Sequence, residues 1–89
     1  MDPVECGHQG VLAQEAGALE DAVLLFTTGL KLTPPNRPKL ASKLLKDRAD
    51  CYWGLQRKEE ACADLEKALA LYPGIKARGF ELNYRLVRD

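Results

Sequence analysis

The stretch RKEEACADLEKALALYPG, Arg57 to Gly74, decides the fold. Its Ala61, Leu65, Ala68, Leu69 and Tyr72 fall at steps of three and four, which is one face of an α-helix. Pro73-Gly74 stops that helix. A second stretch repeats it: GALEDAVLLFTTGLKLTP, Gly17 to Pro34, lies over Gln56 to Pro73 at an offset of 39 residues. The acidic pairs Glu20-Asp21 and Glu59-Glu60 coincide, as do Ala22 and Ala61, Phe26 and Leu65, Gly29 and Ala68, Leu30 and Leu69, and the two prolines. An offset of this size marks stacked helical units.

Outward from the two copies the pattern stays helical. Pro34-Pro35 ends the first copy, and Asn36 and Pro38 suit the start of a new helix, KLASKLLKDRADCYWGL. In that helix Ala41, Leu45, Ala49 and Tyr52 form the stripe, flanked by Leu44 and Leu55. Ile75 to Arg88 is helical in pattern and carries two stripes. Ile75, Gly79, Leu82 and Leu86 make one, and Phe80, Tyr84 and Val87 the other. The opening segment VECGHQGVLAQEA holds Gly7 and Gly10, each costing about 1 kcal/mol relative to alanine inside a helix. Taken alone it reads as a loop, and only the repeat makes it a helix. Strand alternation is absent. The expectation is five helices with breaks near residues 17, 35, 56 and 74.

Composition narrows the function classes. Thirteen basic residues balance thirteen acidic ones, so there is no basic footprint for nucleic acid. No apolar run approaches a membrane span, and MDPVECGHQG does not read as a signal peptide. Cys6, Cys51 and Cys62 are odd in number and widely spaced, which fits reduced, buried thiols and a cytoplasmic or nuclear protein better than a disulfide framework. No four-ligand metal set is present, so no metal or other cofactor is expected. His8 has no nucleophile at a recognisable elbow, and no paired carboxylates or phosphate loop accompany it. The expectation is a chain that is not an enzyme.

The two Ala-to-Pro copies resemble the tetratricopeptide repeat, a pair of antiparallel helices with a period of about 34 residues. The second helix of that family carries a small residue, a large one four residues on, another small one, then proline. Both copies match. The first-helix pattern is met by Leu45, Arg48, Ala49 and Tyr52 in copy two, and in copy one only by the small Gly10 among Cys6, Gln9, Gly10 and Ala13. The five residues beyond the usual period fall around TPPNRPK. The resemblance implies an all-α stack of antiparallel helical hairpins over residues 1–89, a tetratricopeptide-like solenoid. Unit one covers about 3–35, unit two about 37–73, and a closing helix about 75–88.

The elongated second unit is similar to the chaperone-adaptor group, whose members line an inner groove with the first helix of each unit. Carried over, the groove would be lined by Gly7, His8 and Val11, then Lys43, Lys46, Asp47, Asp50 and Trp53, then Phe80, Glu81 and Tyr84. The group's carboxylate-clamp positions match Gly7, Val11, Asp47, Ala77 and Glu81. None keeps the needed type, and two are acidic, so clamping of a terminal carboxylate is not expected. Trp53 also reads as a packing residue, and the Lys43, Lys46, Asp47 and Asp50 charges as a solvated, mutually paired face. The expected function is protein–protein binding of a peptide or partner protein, as a scaffold or adaptor, without catalysis. The competing expectation is a self-associating structural module, a homo-oligomer, or a piece of a longer repeat array.

Overall fold

The structure is a computed structural model and describes residues 2–73. Among them are four α-helices: α1 (Pro3–Glu15), α2 (Leu19–Leu32), α3 (Pro38–Gly54) and α4 (Lys58–Leu71). Each packs against the next, and α1 also touches α3, so the described residues form an all-α helical repeat of two antiparallel hairpins. The helix expected over 75–88 lies outside the described residues.

The opening segment forms a full helix, against what its glycines suggest in isolation. Asp2 caps it by accepting from the Glu5 backbone N–H at 2.8 Å, and Pro3 opens its first turn. The glycines serve contact rather than flexibility. A methyl group on Gly10 would stand 2.5 Å from the Phe26 ring of α2. One on Gly7 would stand 3.0 Å from Leu44 of α3. Helix propensity is a weak prior, and burial against two neighbours overrides it here.

The same contact recurs 39 residues on in different currency. In hairpin one, Gly10 faces Phe26; in hairpin two, Ala49 and Leu65 hold the equivalent places, and all four are buried. A small residue against a large one sets the spacing of both pairs. Between the hairpins, Leu44 and Cys51 of α3 pack with Ala22 and Phe26 of α2 in one cluster. Ala49, Ala61 and Leu65 form the second.

Both hairpin turns are built alike. The Gly17 N–H donates to the Gln14 carbonyl and Ala18 to Ala13, and the Gln56 N–H donates to Trp53 and Arg57 to Tyr52. This is the glycine-type helix ending in which the residue after the cap turns left-handed. Gly17 does so at φ 84°, but the equivalent Gln56 sits at φ 65° with a full side chain. Gln56→Gly is therefore expected to stabilise the chain by about 1 kcal/mol. Urea denaturation measures this, and an unmoved midpoint would mean that the turn carries no strain.

The extra length of unit two is not confined to the loop. Pro3 is the repeat equivalent of Ser42, yet α3 starts at Pro38. Pro38, Lys39, Leu40 and Ala41 thus form an added turn at the head of α3, after the connection Thr33–Arg37.

Candidate partner-binding groove

α3 is a helix with three faces. Leu44 and Cys51 meet α2. Ser42 and Ala49 meet α4, where the Ser42 hydroxyl donates to the Ala68 carbonyl at 2.7 Å and Ala49 packs on Ala61 and Leu65. Lys43, Lys46, Asp47 and Asp50 fall at steps of three and four on the remaining face.

The four charges are not equivalent. Asp47 is almost buried beneath its lysines: Lys43 Nζ lies 3.1 Å from one carboxylate oxygen and Lys46 Nζ 3.7 Å from the other. Lys43 keeps most of its surface in water. Asp50 is half-buried, and burial raises its carboxyl above the ordinary value of 3.8; Lys46 offsets part of this and Asp47 adds to it. Folded Asp50 holds its proton more tightly than the unfolded chain does. The ionised group therefore costs stability, and that cost appears as pH rises through the window just above 3.8. Asp50→Asn is expected to raise the melting temperature at pH 7, with the difference from wild type shrinking as the pH is lowered towards that value. A constant difference across the pH series would count against the assignment.

Trp53 packs against the Ala49, Ala61 and Leu65 cluster with Lys58 Nζ 5.6 Å from its ring, so a large part of it serves the core. On α1, His8 is exposed, Gly7 is half-buried beside Leu44, and Val11 packs on the first cluster. Phe80, Glu81 and Tyr84, with Ala77, lie outside the described residues. Cys6, Cys51 and Cys62 are buried and none is in a disulfide, and burial with help from Asp50 and Asp47 pushes the Cys51 thiol up to about 11, which leaves it unreactive. Among the described residues no group of three or more His, Cys, Asp or Glu could share a metal ion. No described helix is long and apolar enough to cross a membrane.

Arg48 was legible only as an imperfect match to a repeat position. In the fold it ties three helices together. Nε and Nη2 donate to both carboxylate oxygens of Asp64 on α4 at 2.7 Å, and Nη1 donates to Thr27 Oγ1 on α2 at 3.1 Å. The bidentate pairing with Asp64 raises the guanidinium pKa further, against the opposing effect of burial. Tyr52 lies between this guanidinium and that of Arg57, with centroid distances of 5.5 and 4.9 Å. These groups brace α3 on the side away from Lys43, Lys46, Asp47 and Asp50.

Residues 42–75 match the tetratricopeptide repeat family. The chain carries a tetratricopeptide repeat. Counted from Ser42, the repeat's small residues are Ala49, Ala61 and Ala68, its large one is Leu65 and its closing proline is Pro73. The tetratricopeptide match excludes the added turn Pro38–Ala41, which precedes the standard unit. Comparison with curated proteins and with solved structures gave no match. The tetratricopeptide repeat is in general a protein-interaction unit.

Proposed function

We propose that the chain holds a peptide or a segment of a partner protein in the groove between α1 and α3, without catalysis. The supporting observation is the third face of α3, which faces neither α2 nor α4 and carries Lys43, Lys46, Asp47 and Asp50. Lys43 and Asp50 are its recognition groups, Lys46 and Asp47 fix them, and Trp53 borders them. Phe80, Glu81 and Tyr84 belong to the same working surface in this reading, as part of a closing helix over 75–88. Chemical-shift mapping with a peptide library tests the reading. Binding that moves the amides of Lys46 to Trp53 supports it, and binding that moves only the outer surfaces of α2 and α4 sinks it.

A second reading is favoured by one comparison between the hairpins. Cys51 is fully buried against α2, whereas Leu12, its repeat equivalent, is 48% exposed. Leu24 on α2 is also exposed, at 67%, where the repeat equivalent is Ala63. Self-association or an adjoining repeat would cover these leucines. Sedimentation over a range of concentrations decides: a persistent monomer excludes self-association.

A further inference from the structure

We infer that the added turn of α3 builds a second recognition site, a cleft that takes an acidic segment of a partner protein. The inference extends the interaction-module reading by naming a class of partner, and the two share Lys43. The cleft is open, about 490 Å³ in volume, and lies between the head of α3 and the end of α4. That is room for a few side chains of an extended segment. Pro38, Leu40 and Tyr72 give it an apolar floor, and Arg37, Lys39 and Lys43 give it a basic rim. Lys39 Nζ is held 5.7 Å from the centre of the Tyr72 ring.

Three observations select the occupant. Among the described residues no acidic residue lines the cleft, and neither Arg37 nor Lys39 forms an ion pair with a carboxylate. The run Ala22 to Lys46 holds Lys31, Arg37, Lys39, Lys43 and Lys46 without one Asp or Glu, in a chain whose net charge is zero; Asp47 offsets part of this at Lys43 and Lys46, which leaves Lys31, Arg37 and Lys39 as the excess. The local excess is therefore a property of this end of the stack and not of the whole protein. Finally, three of the lining residues, Pro38, Lys39 and Leu40, belong to the turn by which this chain exceeds the regular repeat. The chain's own residues 74–89 fit the rim poorly, since Lys76, Arg78, Arg85 and Arg88 outnumber Glu81 and Asp89. A segment alternating glutamate with leucine or phenylalanine fits both floor and rim. It needs no terminal carboxylate, so the missing clamp residues do not bear on it.

The test uses the full chain and a short peptide alternating glutamate and leucine, acetylated and amidated so that it has no terminal charge. Fluorescence anisotropy is expected to show binding that weakens between about 50 and about 300 mM salt. The glutamine version should bind at least about tenfold more weakly, and the double variant Arg37→Glu with Lys39→Glu should weaken the acidic peptide about tenfold. Lys67→Glu, an exposed reversal on α4, should change nothing. Affinity unaffected by the double reversal overturns the proposal. So does equal affinity for anionic vesicles or single-stranded DNA, because charge alone would then explain the binding. If the acidic peptide fails while a library peptide moves the Lys46 to Trp53 amides, the cleft is wrong and the groove stands. If neither binds, both readings fall.

Discussion

Asp64→Ala is expected to remove about 3 kcal/mol of stability, a large share of what so short a chain can hold. The substitution strips Arg48 of both short hydrogen bonds and leaves a guanidinium, 17% exposed, between helices with the Thr27 hydroxyl and the Tyr52 ring beside it. Breaking one side of a buried pair costs more than removing the pair, because the surviving charge keeps its desolvation penalty. Arg48 retains some access to water, which puts the loss at the lower end of the range for buried pairs. Replacing both partners by apolar residues, Arg48→Met with Asp64→Leu, should recover most of the loss. Urea denaturation of the two variants at low and high salt makes the comparison. A single substitution within about 0.5 kcal/mol of wild type would reduce the bridge to a surface pair.

The second large effect lies in hairpin one. Gly10→Ala places a methyl group against three carbons of a ring that is itself fully buried, at 2.5 to 2.8 Å. Alanine gains about 1 kcal/mol in helix propensity, but overpacking costs about 1–3 kcal/mol, and a ring with no free side has little room to yield. A net loss of about 1–2 kcal/mol, or about 5–15 °C in melting temperature, is expected. Phe26→Leu alone should also destabilise, by opening a cavity. Together the two substitutions reproduce the alanine and leucine that hairpin two already uses at Ala49 and Leu65. The double variant should therefore be more stable than the sum of the single effects by about 1 kcal/mol or more. Additive losses would show that the two hairpins are not packed by the same rule.

What the sequence determined by itself was everything that depends on near neighbours in the chain. Helical stripes, the Pro34 and Pro73 stops and the doubled Ala-to-Pro copies set the number, order and approximate ends of the described helices. These follow from spacing along one backbone, so one sequence suffices to see them. The opening helix was harder because Gly7 and Gly10 are unfavourable locally, and their justification sits on other helices, at Leu44 and Phe26. The repeat lays Gly17 over Gln56, but a glutamine carries no local signal for a left-handed turn, so only the fold shows that both positions adopt it. For the groove, the sequence could list Lys43, Lys46, Asp47 and Asp50 on one face, but not that Asp47 is claimed by both lysines while Asp50 is left half-buried. Only tertiary structure joins Arg48 to Asp64 and Thr27, and brings Tyr72 beside Lys39, because charges and rings find partners through space once helix packing has fixed which faces meet.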